Sequence, residues 1–262
     1  MPIDPSNSVT SLRATRRRLL FLRTAVLSDA LGKAGAMDHD MHCFSANCRM
    51  AGPATTLRIH TADILMVGKA LSHCPKGHVL VIDGQGELNT ALWGAVTTAS
   101  ALLKGLAGVV IDGAIRDLAA IRRQRLPVFA RAVVPNAGGA EYRGEVDIPI
   151  QCGGAVIHPG DWIVGDEDGV VVIPAARLAA VLETGRRLVE VEKKIEREIR
   201  AGKELVSILR YDELLDRKSK ETFLPQMRFL EKGQAVSPKS PRKSAHSKNS
   251  EESYRLGSNS RR

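Results

Sequence analysis

The stretch GAVTTASALLKGLAGVVIDGAIRD, from Gly94 to Asp117, decides the fold that the sequence predicts. It opens with an apolar, helix-like run that ends at a Lys104-Gly105 turn. The all-apolar segment 107–111 follows, and Asp112-Gly113 closes it. A short β-branched run that an Asp-Gly pair ends is typical of a buried strand. We therefore predict a helix followed by a strand that lies in the core.

Both ends of this stretch carry groups that can bind a ligand. Arg116 and Asp117 come just past the C-terminal end of the predicted strand, where α/β folds place their ligands. The helix begins at Gly94, Ala95, Val96 and Thr97, and its first N–H groups lack partners within the helix, so they suit an anion. Together these groups fit a small carboxylate held beside a divalent metal ion. The structural alternative is a surface salt bridge and a plain turn, and this stretch by itself favours that alternative.

The flanking segments extend the stretch into a sheet. Val79–Ile82 predicts another buried strand with a turn at 83–86, and strand, helix and strand then form a β-α-β unit that favours a parallel sheet. The glycines of that turn lack the third position of a dinucleotide-binding motif. From Gly138 to Pro174 short strands alternate with Gly, Pro and Asp, which predicts a small β-rich layer. A long helix is predicted over 175–200.

Six segments, in sequence order, resemble the RraA-like family, which includes the 4-hydroxy-4-methyl-2-oxoglutarate aldolases. They are Ser28–Leu31, Gly52–Thr56, Gly77–Gly84, Gly105–Asp117, Pro159–Asp161 and Asp166–Val170. The resemblance implies an α/β fold, an α/β/β sandwich with a parallel core sheet and a small β-rich layer. It also implies trimers or hexamers with sites between the subunits.

The same resemblance implies an activity and roles for particular residues. The activity is that of a class II, metal-dependent lyase on short 2-oxo dicarboxylates. It cleaves 4-hydroxy-4-methyl-2-oxoglutarate to pyruvate, decarboxylates oxaloacetate, or does both. Arg116 matches the arginine that holds the substrate carboxylate, and Asp117 matches the ligand of Mg²⁺ or Mn²⁺. Gly94 to Thr97 matches the loop whose backbone amides bind the pyruvyl group.

The chain departs from the aldolase pattern at one position. The aldolases carry an acidic residue 21 positions before the arginine, and that position is Ala95 here. We therefore expect weakened aldolase activity. The aldolases also take a glutamate from a neighbouring subunit's C-terminal helix, for which Glu192 and Glu196 are the candidates. Two alternatives stay open: a non-catalytic regulator that binds a ribonuclease or another protein, and a family member diverged to another substrate.

Charge and composition divide the chain into four parts. The net charge of +9 is concentrated at the two ends of the chain, so the middle of the chain is close to neutral. This distribution argues against a nucleic-acid-binding domain, except through the basic tail. The predicted parts are a disordered N terminus (1–10), an RraA-like domain (11–210), a helical extension (211–230) and a disordered, Ser-rich basic tail (231–262).

The cysteines and apolar runs bear on location. Cys43, Cys48, Cys74 and Cys152 show neither CxxC spacing nor a compact disulfide pattern, so we predict reduced thiols in a cytoplasmic protein. No stretch approaches the length of a membrane span. The N terminus lacks the apolar core of a secretory signal, and a mitochondrial transit peptide stays open as an alternative. The Asp38-His39-Asp40 stretch mixes ligand types without standard spacing, which favours an irregular loop over a metal site.

Overall fold

The computed structural model describes residues 5–220 of the 262-residue chain, with side chains for 11–218. The helices in this part are α1 (Pro5–Phe21), α2 (Thr24–Ala30), α3 (Leu65–His73), α4 (Ala95–Lys104), α5 (Leu118–Gln124), α6 (Leu178–Arg200), α7 (Leu205–Leu209) and α8 (Tyr211–Lys220). The strands are β1 (His42–Cys43), β2 (Met50–Arg58), β3 (Val79–Trp93), β4 (Gly108–Ile115), β5 (Val128–Ala130), β6 (Ala132–Val133), β7 (Glu145–Val146), β8 (Ile150–Cys152), β9 (Ala155–Ile157), β10 (Trp162–Asp166) and β11 (Gly169–Ile173).

The main sheet has a parallel centre and antiparallel edges. Its strand order is β1-β5-β4-β3-β2-β10-β11, and β2, β3, β4 and β5 run parallel. The edge strands β1, β10 and β11 pair antiparallel, and β8 and β9 form a separate hairpin. The predicted α/β fold with a parallel core sheet is confirmed.

Successive side chains of the central strands point to opposite faces of the sheet, and both faces are buried, which explains why the apolar runs are continuous. In β3, Leu80 and Ile82 pack into a core with α3, α4 and α5, whereas Val79 and Val81 point to the opposite face. That opposite face is covered by β8, β9, β10 and β11. A strand that is buried on both faces needs apolar side chains at every position. The result is the predicted α/β/β sandwich, in which one helical layer and one small β layer enclose the sheet.

A third core cluster packs α1, α2 and α6 against β10 and β11. Leu19, Leu22, Leu27 and Leu182 are among its buried side chains. Each fully buried leucine stabilises the fold by about 1.5–3 kcal/mol. The long helix predicted over 175–200 is observed as a short 3-10 turn, Ala175–Arg177, followed by α6.

Two of the four cysteines correct the prediction of reduced thiols. Cys43 and Cys48 form a disulfide, with their Cα atoms 5.7 Å apart, whereas Cys74 and Cys152 are free and buried. The chain reverses between these two cysteines, and the Ser45 hydroxyl attaches the reversal to the start of β5: it donates to the carbonyl of Leu126 and accepts from the N–H of Val128. Sequence spacing alone does not reveal this reversal, so the prediction was wrong for these two residues.

Residues from Glu204 onward form a unit of their own. Its described part holds α7 and α8, which Arg210 separates in a left-handed conformation with φ 55°. Arg210 also donates from Nε to Glu213 at 2.7 Å. The remainder of the helical extension predicted over 211–230 and the disordered tail predicted over 231–262 lie outside the described residues. Helix α1 begins at Pro5, inside the stretch predicted to be disordered, and residues 1–4 again lie outside the described part.

None of the helices in the described part is long and apolar enough to cross a membrane.

Candidate functional site

Arg116 and Asp117 lie where β4 ends, as the sequence predicts. The N–H of Arg116 donates to the carbonyl of Trp93 at 2.9 Å, which fixes the end of β4 beside the end of β3. Asp117 then adopts a left-handed conformation, with φ 59° and ψ 37°, immediately before α5. Asp and Asn tolerate this conformation better than most residues. The turn therefore places a carboxylate at the carboxyl edge of the sheet.

The start of α4 faces this carboxylate. The N–H of Ala95 donates to Oδ2 of Asp117 at 3.0 Å, and the N–H of Gly94 donates to the hydroxyl of Thr97 at 3.0 Å. Among the described residues, the N–H groups of Val96 and Thr97 meet no acceptor. Of the four amides predicted to be open for an anion, two are therefore engaged by the protein.

Gly94 permits the close approach of these two segments. A Cβ atom at this position would lie 2.7 Å from Oδ2 of Asp117 and 3.2 Å from Cγ of Arg116. Real Cβ atoms essentially never approach another atom to 2.7 Å, so any larger residue would displace the side chain of Asp117. The glycine is required here for space rather than for backbone conformation.

Two further side chains, which the sequence did not indicate, support the start of α4. The indole N–H of Trp93 donates to the hydroxyl of the buried Thr98 at 2.7 Å. Nε2 of Gln124, at the end of α5, donates to the carbonyl of Ala95 at 3.2 Å. Ala95 is thus held through both its N–H and its carbonyl, by Asp117 and Gln124.

These elements enclose a cavity of about 330 Å³. That volume is at the lower end of the range of small-molecule sites. Its wall contains the predicted site residues, and its remaining side chains are apolar or absent. The lining is Ile64, Val67, Gly68, Ala91, Leu92, Trp93, Gly94, Ala95, Val96, Thr97, Arg116, Asp117 and Ala137.

Arg116 and Asp117 are both accessible from the cavity. Their side chains are 43% and 44% exposed, and Nε of Arg116 lies 3.8 Å from Oδ2 of Asp117. An exposed pair at that distance contributes little stability. Both groups are therefore free to bind a ligand without a large loss of folding energy.

The cavity offers the carboxylate of Asp117, which fits a Mg²⁺ ion bound through a single protein ligand. Within the described residues no group of three or more His, Cys, Asp or Glu side chains is arranged to hold a metal. Mg²⁺, however, usually keeps several waters and binds through one or two carboxylates. Oδ1 of Asp117 has no donor among the described residues, so it is available as such a ligand.

Glu192 and Glu196 do not line this cavity in their own chain. They lie on α6, on a separate cleft of about 500 Å³ that Phe21, Arg23 and Arg49 also line. Glu192 is paired there with Arg23, at 3.4 Å. Their predicted role as acids supplied to a neighbouring subunit's site stays a prediction.

The Asp38-Asp40 loop is held by one arginine. Arg131 donates to Asp38 at 2.9 Å, to Asp40, and to Asp112 at 2.5 Å. Asp112 also accepts from the N–H of Gly153 at 2.7 Å, so its carboxylate joins separate segments of the fold. The hydrogen bond from Arg131 lowers the pKa of Asp40, and the bond to Asp112 raises the pKa of Arg131.

Comparison with known proteins relates the sheet and its two layers to one family. Residues 24–172 match the family model for RraA-like proteins, described as Aldolase/RraA. A 4-hydroxy-4-methyl-2-oxoglutarate aldolase of Thermus thermophilus is 38% identical over 152 residues, which cover 58% of this chain and 92% of that protein.

Solved structures extend the likeness to the fold. A protein of Pseudomonas syringae pv. tomato superposes with a TM-score of 0.67 at 28% identity, over 75% of this chain and 96% of that one. The RNA-processing inhibitor RraA of the Thermus species superposes with a TM-score of 0.55 at 38% identity, over 58% of this chain and 92% of that one.

Proposed function

The chain belongs to the RraA-like family, and we propose that it is a divalent-metal-dependent lyase of short 2-oxo dicarboxylates. The reactions are decarboxylation of oxaloacetate and aldol cleavage of 4-hydroxy-4-methyl-2-oxoglutarate to pyruvate. One observation carries the proposal: the end of β4 and the start of α4 bring a guanidinium, a carboxylate and two open amides to one cavity. Relatives named as aldolases give the reaction class.

Substrate orientation falls to Arg116 and the start of α4. A guanidinium can bind a carboxylate through two parallel hydrogen bonds, which fixes the position and the plane of that carboxylate. The open N–H groups of Val96 and Thr97 lie at the positive end of the α4 dipole and suit the 2-oxo acid end of the substrate. Holding the substrate in one orientation lowers the entropic part of the barrier.

Asp117 is the proposed ligand of Mg²⁺ or Mn²⁺. A cation bound there would supply stabilisation for the negative charge that develops on the 2-oxo oxygen. The bond from Ala95 to Oδ2 fixes the carboxylate and leaves Oδ1 free to bind. Asp117 thus combines a structural and a binding role in one side chain.

The lack of an acidic side chain at position 95 should affect the two reactions differently. Aldol cleavage needs a base to remove the proton of the substrate hydroxyl, whereas decarboxylation loses CO₂ and needs no such base. No acidic side chain other than Asp117 lines the cavity within the described residues. We therefore rank decarboxylation above aldol cleavage for this chain.

We also propose that the active form is a homo-oligomer, a trimer or a hexamer. Helix α4 exposes Val96 (84%), which lines the cavity, and Leu103 (91%), near the other end of the helix. A neighbouring subunit would cover such apolar side chains. Glu192 or Glu196 of the partner subunit would then supply an acid to the site. A cytoplasmic location stays a prediction, and the Cys43–Cys48 disulfide removes part of its basis.

A second candidate function is a non-catalytic regulator that binds a ribonuclease or another protein. Two observations favour it. A relative of 38% identity is named as an RNA-processing inhibitor, and the aldolase acid is replaced by Ala95. A protein of this kind has no need of Arg116 and Asp117, so their roles distinguish the two candidates.

The deciding experiment is an assay of the purified full chain with oxaloacetate. Pyruvate formation is measured with added Mg²⁺, with Mn²⁺, and after removal of metal by a chelator, against the spontaneous rate with the same metal. We expect turnover that depends on the metal and is lost in Asp117→Ala. No turnover above the metal-only rate would favour the regulator.

A further inference from the structure

We propose that Asp63 is a positioning residue, which holds two walls of the candidate cavity at the spacing that the substrate requires. The inference rests on the proposed function in treating this cavity as the substrate site. Asp63 lies just before α3 and is 3% exposed. It does not line the cavity itself, so its effect on a substrate is transmitted through the backbone.

The carboxylate of Asp63 accepts three backbone hydrogen bonds from two separate segments. Oδ1 accepts from the N–H of Leu65, the first residue of α3, at 2.8 Å. Oδ2 accepts from the N–H groups of Glu141 and Tyr142, at 2.6 and 3.0 Å. One oxygen therefore holds α3, and the other holds the segment 136–142.

Both segments contribute to the cavity wall. Ile64, with Val67 and Gly68 of α3, lines the cavity, and so does Ala137 of the segment 136–142. The backbones meet directly as well, since the N–H of Ile64 donates to the carbonyl of Gly139 at 2.8 Å. The segment 136–142 is also joined to β3, where the N–H of Ala91 donates to the backbone carbonyl of Asn136 at 2.8 Å.

An ionised aspartate is the side chain that meets this requirement. It offers two oxygens and only acceptors, whereas asparagine would turn an NH₂ group toward backbone N–H donors on one of the two sides. Hydrogen bonds to a charged group are stronger than those between neutral groups, and a buried donor left unpaired is costly. Asp63→Asn therefore weakens the attachment of either the start of α3 or the residues 141 and 142, while the direct backbone bonds between the two segments remain.

Asp161 provides a matched control elsewhere in the fold. It is 6% exposed and accepts from the N–H groups of His158 and Ala175, both at 2.9 Å. It joins two backbone segments as Asp63 does, but neither segment lines the cavity. A purely structural role for Asp63 predicts that the two Asp→Asn variants behave alike toward substrate.

The test compares Asp63→Asn and Asp161→Asn with the wild type. Steady-state turnover of oxaloacetate with Mg²⁺ is measured, together with backbone hydrogen exchange. For Asp63→Asn we expect KM to rise about tenfold while kcat stays within about twofold, since one charge-assisted contact is lost. Exchange should accelerate in the segment 136–142 or at the start of α3. For Asp161→Asn we expect an unchanged KM and faster exchange only near residues 158 and 175.

Two results would overturn the inference. One is an equal change of KM in the two variants at equal stability. The other is that backbone hydrogen exchange in Asp63→Asn stays unchanged both at the start of α3 and in the segment 136–142. Failure of the proposed function is a separate result, because it shows as absent turnover in the wild type. In that case the exchange comparison alone decides whether Asp63 holds the walls of the cavity.

Discussion

Oδ2 of Asp117 accepts the N–H of Ala95 at 3.0 Å, although 22 residues separate them in the sequence. The proposed metal ligand is therefore in direct contact with the position at which the aldolases carry their additional acid. The Cβ atom of a side chain at position 95 is two bonds away from the hydrogen-bonded nitrogen. Position 95 therefore holds an alanine whose backbone is bonded to the carboxylate proposed to bind the metal.

The first prediction concerns the metal ligand. Asp117→Ala should lower metal-dependent turnover of oxaloacetate by about 10²-fold or more, because the charge stabilisation by a bound cation is worth several kcal/mol. Arg116→Ala should chiefly raise KM. Asp147→Ala is the matched control, since Asp147 is also left-handed (φ 57°) and its side chain is 43% exposed. Turnover in Asp117→Ala equal to that of the control would place the metal elsewhere.

The second prediction restores the missing acid. Ala95→Asp should raise aldol cleavage of 4-hydroxy-4-methyl-2-oxoglutarate relative to decarboxylation, because a positioned base contributes about 10²–10⁴-fold. Val96→Asp places the same charge on the neighbouring, 84% exposed residue and should give no such gain. The ratio of the two activities is the measurement. An equal gain in both variants would point to a general charge effect.

The third prediction concerns acid stability. Burial by itself raises the pKa of Asp63, but the hydrogen bonds from Glu141, Leu65 and Tyr142 outweigh it, and the pKa is lowered. An unfolded aspartate titrates near about 3.9. The stabilisation by Asp63 is therefore complete above that pH and is lost as the pH falls through the lower, folded value.

Urea unfolding at a series of pH values checks this prediction. Asp63→Asn should be less stable than the wild type at pH 7, and the difference should shrink below pH of about 4. A difference that stays constant down to pH 2 would mean that the charge of Asp63 does not contribute.

The fourth prediction concerns the disulfide. Closing the six-residue loop 43–48 should contribute about 2 kcal/mol to the free energy of unfolding, and a reductant should remove that contribution. Guanidinium unfolding with and without reductant measures it. The double variant Cys43→Ser/Cys48→Ser should not respond to the reductant.

Burial raises the pKa of the Cys74 and Cys152 thiols, so both should resist alkylation until the chain unfolds.

The central strands and the turn after α4 could be predicted from the local sequence pattern. The run 107–111 gives β4, and the Lys104-Gly105 turn is observed, with Gly105 in a left-handed conformation at φ 72°. Strand β3 is longer than predicted, because after Ile82 it continues with an irregular register as far as Trp93. The predicted turn at 83–86 is an excursion within that strand rather than its end.

The rest of the site depends on contacts between distant segments. Asp63 accepts hydrogen bonds from Glu141 and Tyr142, which are 78 and 79 positions further along the chain. Arg131 donates to Asp38, which is 93 positions earlier. Neither residue has a local signature, because an aspartate before a helix and an arginine after a strand are common. Arg116, Asp117 and the start of α4 were predictable since one β-α-β unit contains them all.

The lack of space at Gly94 has an evolutionary consequence. A side chain at position 94 would displace the carboxylate of Asp117, and position 117 favours residues that tolerate a left-handed backbone, so substitution at either position disturbs the site. Position 95 is open by comparison, since its side chain is not required for any of these contacts. A single change at the second base converts an alanine codon into a codon for aspartate (from GCU or GCC) or glutamate (from GCA or GCG). A lineage with this scaffold can therefore lose the acid and regain it by point mutation, while the fold that surrounds the site is inherited unchanged.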